Sequence, residues 1–327
     1  MDNSLFGGKS LLHLSAVFRK VNKHYLTAII LVLFTYFYFR YAIEAKQIAF
    51  ETLLLWFEQI LPCQLTAMVL LQLWKKYGLI DSVNQYIGPL LAKLFGISKE
   101  GAFLLVSGIF FGFPAGAYAL HLSLQDKKIS EKEGNLLLPF INLLGPPFLF
   151  AYFYPTFQDT MPWFPTITHF AAFYYGIPLG LLTIVGNVQR LLLKMNSSKQ
   201  KATYSSSIDK HTDTTVHSDL PFSQILTEAL CKVAMLAGYM IFFSTLQIVT
   251  IPMTGIPKRI LSSSFEVSNA TSRLMDTDPI LGLSILCFGG ISCIAQTKVL
   301  LPKGFHLANY IFWKILIAVI ASILLRF

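Results

Sequence analysis

Charge is what this chain of 327 residues has least of: 13% of it is Asp, Glu, Lys or Arg, against roughly 25% in soluble globular domains. The shortage falls mostly on the acids, 17 against 26 Lys plus Arg, which leaves a formal net charge of +9. So little charge excludes an ordinary soluble domain, and the 54% hydrophobic content points to an all-α, polytopic helical membrane protein with the lipid bilayer as its first partner. The basic residues lie in loops beside apolar stretches and not in a separate basic domain, so they set membrane orientation and speak against a nucleic-acid partner. Cysteine is scarce as well. Cys63, Cys231, Cys287 and Cys293 sit in apolar segments without a Cys-x-x-Cys pair, which supports neither a disulfide framework nor a metal site. The chain also lacks Gly-x-Ser-x-Gly, His-Glu-x-x-His and Walker-type lysine loops, so neither an enzyme, a bound cofactor nor an ATP-driven pump is expected.

What is there is a series of apolar stretches. A bilayer crossing takes about 20 residues; seven stretches reach that length clearly and two short ones are ambiguous. The first span begins near Tyr25, has no small-residue cleavage site and is expected to stay as a helix. Lys9, Arg19, Lys20 and Lys23 place the N-terminus in the cytoplasm of a cell membrane. The expected division is 1–48 for the N-terminus and first span, 49–194 for a membrane repeat with a connecting helix, 195–221 for a flexible cytoplasmic linker, and 222–327 for a second repeat. Residues 77–96 are too polar for a lipid-facing span and read as a re-entrant or cavity-lining helix. Because Lys76 and Lys127 should share one side, 77–96 and 101–124 either both cross or neither does.

Two stretches break the helical pattern at membrane depth. Ser107, Gly108, Gly112, Pro114 and Gly116 interrupt the first, and Gly289 and Gly290 the second, with Ser292 and Gln296 just beyond. Proline removes a backbone donor and glycine loosens the chain, so such segments need other helices or a water-filled cavity to satisfy the freed groups. A third break falls at Asn142, Gly145, Pro146 and Pro147. Interrupted segments in both halves, with the spans at Ala49 and Phe222 running in opposite directions, point to two inverted repeats around a midplane site.

These motifs resemble the nucleoside-recognition, or Gate domain, membrane proteins. The residues that carry the resemblance are Gly112-Phe-Pro-Ala-Gly-Ala117, Ile129-Ser-Glu-Lys-Glu133, Asn142 with Pro146-Pro147-Phe148, Glu266 with Asn269 and Thr271, and Phe288-Gly-Gly-Ile-Ser292 with Ala295-Gln296. The resemblance implies a helical membrane fold related to concentrative nucleoside transporters and to the gate of ferrous-iron permeases, and transport of a solute that is mostly unassigned within the family. Phe113 and Pro114 make the first loop more apolar than that family leads one to expect.

The candidate substrate-binding residues are therefore Ser107, Gly112, Pro114, Gly116, Asn142, Glu266, Asn269, Thr271, Gly289, Gly290, Ser292 and Gln296. Unwound backbone and polar side chains of this kind suit a small polar solute with Na+ or H+ as coupling ion; helix packing by small residues is the competing reading. Glu266, Asn269 and Arg273 share a helical face, either lining a polar path or wetted at an external interface. Glu58 and Gln59, just before Pro62, are candidates for proton transfer. Expected function is a transporter or permease, with a non-transporting scaffold in sporulation or envelope assembly as the alternative; homo-oligomerisation stays open.

Overall fold

The computed structural model describes residues 25–199, 221–254, 264–266 and 274–326, and among these every regular element is helical. Helix α1 covers Tyr25–Arg40, and α2 covers Ala42–Lys76 with a π-helical turn at Trp56–Ile60. Two short helices follow, α3 (Leu79–Tyr86) and α4 (Gly88–Phe95). Helices α5 (Lys99–Phe111) and α6 (Ala115–Gln125) flank the first break. Helix α7 (Glu131–Ile141) passes through residues 142–145 into α8, built of Pro146–Phe148, the π-helical turn Leu149–Phe153 and Tyr154–Phe157. The long α9 (Ile167–Lys199) and α10 (Phe222–Thr254) are followed by α11 (Pro279–Phe288), α12 (Gly290–Leu300) and α13 (Ala308–Leu324).

Among the described residues five stretches are long and apolar enough to cross a bilayer: Ala42–Lys76, Glu131–Thr160, Ile167–Leu192, Phe222–Ile248 and Pro279–Leu300. The chain is a multi-pass, all-α membrane protein. Helices α1 and α13 are apolar but shorter, and a sixth span exists only if α4 and α5, bent by 94°, count as one. Length and composition alone thus give five or six candidate spans among the described residues, against the seven expected from sequence. One reason is that residues 101–124 turn back on themselves. Ser123 Oγ, near the end of α6, donates to Glu100 Oε1, at the start of α5, at 2.5 Å. Between them Gly116 faces Gly108, so α5 and α6 form an antiparallel hairpin that returns to the side it left. Lys75 at the end of α2 meets Asp126 just past α6 at 2.8 Å, which fixes that common side. Of the two arrangements that parity allows, the hairpin selects the one in which neither segment crosses. By contrast α11 and α12 continue as one 22-residue span across Gly289, whose φ is 90°. The two glycine-broken segments thus differ in kind, one returning and one crossing.

Helix α7 is the third member of the hairpin's core. Ser130 caps α7 by accepting from Glu133 N at 3.2 Å, as the sequence spacing predicts. The Glu133 carboxylate does not close a reciprocal box; it accepts from Ser98 N at 2.6 Å and so ties the start of α7 to the start of α5. The two helices then run side by side, Gly101 over Glu133 and Leu137, Gly108 over Ile141, and Gly112 over Gly145. A Cβ added at Gly108 or Gly116 would overlap the Ile141 carbonyl oxygen, and one at Gly112 would overlap Gly145. These glycines permit main chain to lie directly on main chain. At Gly180 and Gly238 a Cβ would meet nothing within 4 Å.

The contrast gives a test. Gly108→Ala and Gly116→Ala are expected to lower the thermal midpoint of the detergent-purified protein, at a cost of about 1–3 kcal/mol or loss of folded material. Gly180→Ala and Gly238→Ala should leave the midpoint unchanged or slightly raised. Equal midpoints across all four would refute the close-packed hairpin.

Candidate functional site

The breaks free backbone groups, and the structure pairs them. Phe113 N donates to Leu143 O at 2.5 Å, so the tip of the hairpin binds the break in α7/α8 directly. Leu144 N donates to Tyr174 OH at 3.1 Å, and Tyr175 OH donates to Leu144 O at 2.9 Å. Two adjacent tyrosines of α9 thus complete a loop that water would otherwise have to serve. Ser107 is buried and donates to Leu104 O within its own helix.

Beside this junction lies a cavity. The hairpin tip contributes Phe113 and Pro114, and the α7/α8 segment contributes Leu144 and Phe148. Ile60 and Gln64 come from α2, Leu236 and Met240 from α10, Cys293 and Gln296 from α12, and Glu266 closes the ring. It holds about 480 Å³ of empty space counting its open mouth, but the centre of a water molecule is free to occupy only about 30 Å³ of it. That is room for two or three waters, at roughly 10–15 Å³ each by this measure. In this state a nucleoside does not fit.

The polar groups of the wall are few. Glu266 is 2% exposed and Gln64 7%, and Gln64 Oε1 has no hydrogen-bond partner among the described residues. Gln296 Nε2 donates to Ser292 Oγ at 2.7 Å, one turn back, leaving its own oxygen as an acceptor. Behind this wall Asn142 Nδ2 donates to Thr297 Oγ1 at 2.8 Å and to Tyr310 OH at 3.1 Å, joining α7 to α12 and α13. Lys314 is 2% exposed and places its ammonium 5.9 Å from the Tyr310 ring. A lysine in a membrane helix costs about 2.5–3.5 kcal/mol on insertion scales, which the ring partly offsets.

Of the residues expected from sequence, Pro114, Glu266 and Gln296 line the cavity. Ser107, Gly112, Gly116, Asn142, Gly289, Gly290 and Ser292 do not; they pack, turn or support the wall from behind. Asn269, Thr271 and Arg273 lie outside the described residues, as do residues 1–24 and 200–220. The first part of the expected linker is helical, since α9 runs to Lys199. Residues 77–96 do not line the cavity: they form α3 and α4, which leave Leu79, Tyr86, Ile87, Leu90 and Leu94 exposed. Glu58 faces outward from the π-helical turn of α2, and neither it nor Gln59 borders the cavity. Lys232 lies over the Tyr118 ring at 4.5 Å and not in the wall. Gln64 and Lys314 are the polar residues that sequence reasoning missed. A glutamine one turn past the π-helical turn is a legible signal only once that turn is known.

Taken together, these elements define an integral membrane protein with several apolar helices and a small, mostly apolar cavity that carries three polar side chains. Over 113 residues it is 30% identical to the sporulation integral membrane protein YlbJ of Bacillus subtilis (strain 168), a match that covers 33% of this chain and 28% of that protein. The matched stretch is thus less than a third of the relative's length. No family model matches the chain, so the Gate-domain resemblance stands on its motifs alone. No solved structure matches either.

The thiols report on this geometry. With Cys63 and Cys231 replaced by serine, a small membrane-permeant methanethiosulfonate should modify Cys293, which borders the cavity, and spare Cys287, which is buried. Mass spectrometry of the purified protein reads both sites, and modification of Cys287 first would contradict the placement of the wall.

Proposed function

We propose that this chain is a non-enzymatic, permease-like transporter of a small polar solute, with two inverted membrane repeats of the Gate type and Lys76 and Lys127 on the cytoplasmic side. One observation carries the reading: the cavity takes its wall from two of the helix breaks, through Phe113, Pro114 and Leu144, and from α12 just past the third, and it holds a buried carboxylate, Glu266. Ionisable side chains at membrane depth are costly and typically mark substrate or ion paths. Broken helices at the midplane are where secondary transporters place their sites. The small volume belongs to an occluded state, from which the solute leaves when α2 and α10 move against the hairpin.

A membrane scaffold is the second reading, favoured by the name of the relative, a sporulation integral membrane protein. The two separate cleanly. In sealed vesicles of both orientations carrying Cys293 as the remaining reactive thiol, an impermeant thiol reagent should reach Cys293 from either face in turn. Labelling from neither face would sink the transporter, and loss of function on deleting residues 200–220 would then support the scaffold.

A further inference from the structure

We propose that α3 and α4 together form an anchor that lies in the plane of the bilayer, within the headgroup layer of the leaflet on the Lys75 side, and prefers anionic phospholipid; the inference does not depend on what the cavity carries. The ends of the element place it. Tyr77 and Gly78 alone separate its start from Lys76, the last residue of the span Ala42–Lys76. It finishes against α9, where a Cβ on Gly96 would overlap the main chain of Gly186 and where Asn187 Nδ2 donates to Leu94 O at 2.8 Å. Gly186 is about six residues, or roughly 9 Å of helix, short of the end of the span Ile167–Leu192. Both ends therefore sit at one border of the membrane. Helix α5 stands beside α7, which belongs to a crossing span, and α4 meets α5 at 94°, so α4 runs along the bilayer surface and not through it.

Its faces answer to the three surroundings that such a position offers. The bonds Ile87 N to Val83 O at 3.0 Å and Leu91 N to Ile87 O at 3.2 Å carry the helical phase from α3 into α4. At about 100° per residue, Leu79, Val83, Tyr86, Ile87, Leu90 and Leu94 fall in one sector roughly 100° wide. All of these but Val83 are exposed, Tyr86 at 77% and Leu90 at 68%. Ile80, Gly88 and Phe95 fall in the next sector and are buried, and Asn84 beside them donates to Glu100 Oε2 at 3.2 Å. Asp81, Ser82, Gln85 and Lys93 occupy the third sector and are exposed. A helix on a soluble core needs two faces; one with core, apolar and polar sectors side by side suits the boundary between acyl chains and water.

Charge selects the lipid. Lys93 falls on the margin between the polar and apolar sectors, where its stem can follow the apolar side while its ammonium reaches the headgroups. Asp81 falls on the opposite margin, next to the core sector. Just past α4 a groove of about 360 Å³ opens between residues 96–98, the start of α7 and the end of α9. Lys132 and Arg190 line it, and its one carboxylate, Glu133, already accepts from Ser98 N at 2.6 Å. Basic side chains at this level attract anionic headgroups. A soluble anion would have no use for the apolar sector, which ties the surface to a lipid.

The test uses the full chain in nanodiscs, its native cysteines replaced by alanine, with single spin labels on Leu79→Cys, Tyr86→Cys, Leu90→Cys, Leu94→Cys, Asp81→Cys and Gln85→Cys. The first four labels should collide more with oxygen, which partitions into lipid, than with a water-soluble nickel chelate. The labels at 81 and 85 should do the reverse. Chelate-accessible labels on the apolar sector, or labels shielded from both reagents by a second copy of the chain, would overturn the proposal. The native chain supplies a second measurement, which decides should the cysteine-free protein fail to fold. Its thermal midpoint should be higher in nanodiscs containing phosphatidylglycerol than in phosphatidylcholine alone, and soluble glycerol phosphate should not reproduce the rise. The triple variant Lys93→Gln, Lys132→Gln, Arg190→Gln should lose most of that rise. No rise, a rise matched by glycerol phosphate, or an undiminished rise in the folded triple variant would each overturn the preference for anionic lipid.

Discussion

Every peptide group at membrane depth must find a partner inside the protein, and this structure is arranged around meeting that demand at its breaks. A continuous helix satisfies it alone. At residues 112–114 and 142–145 the helices stop, and the freed groups are joined to each other, through Phe113 N and Leu143 O, and to Tyr174 and Tyr175. Such bonds require main chain to approach main chain, which is why glycine stands at 108, 112 and 116. The hairpin, α7 and the tyrosine face of α9 are consequences of one constraint and stand or fall together.

Because those backbone groups are already paired, the cavity presents side chains and not bare carbonyls. Its chemistry is set by Gln64, Glu266 and Gln296 against an aromatic and aliphatic background. The glycines that look most like a binding loop hold the wall in place without forming it. The two sides of the wall are built differently: on the hairpin side main chain lies on main chain, while Ile60, Gln64, Leu236 and Met240 come from α2 and α10, joined by the Trp56 Nε1 to Val233 O bond at 3.2 Å.

Class and breaks were legible in the sequence; the path of the chain through the breaks was not. Low charge and long apolar stretches mark the membrane fold, glycine with proline marks the interruptions near 114 and 146, and paired glycines mark the one at 289–290. Whether an interrupted segment returns or crosses depends on contacts such as Ser123 with Glu100, 23 residues apart, which no local pattern encodes. Site residues divide along the same line. Glu266 and Gln296, which border the cavity, are conspicuous in one dimension as polarity inside an apolar run. Asn142 was equally conspicuous but turned out to brace α12 and α13. Gln64 gives no such signal, because a glutamine in an amphiphilic stretch is unremarkable until the helix is rotated by a π-helical turn.

The contact at Ile141 has a genetic consequence. What Gly108 and Gly116 touch is a carbonyl oxygen, common to every amino acid. When a crowded neighbour is a side chain, a smaller residue there can restore the fit, and second-site revertants arise. No substitution at position 141 removes its own main chain. Loss of either glycine should therefore have no suppressor at the residue it strikes, and any lineage that keeps this hairpin keeps both.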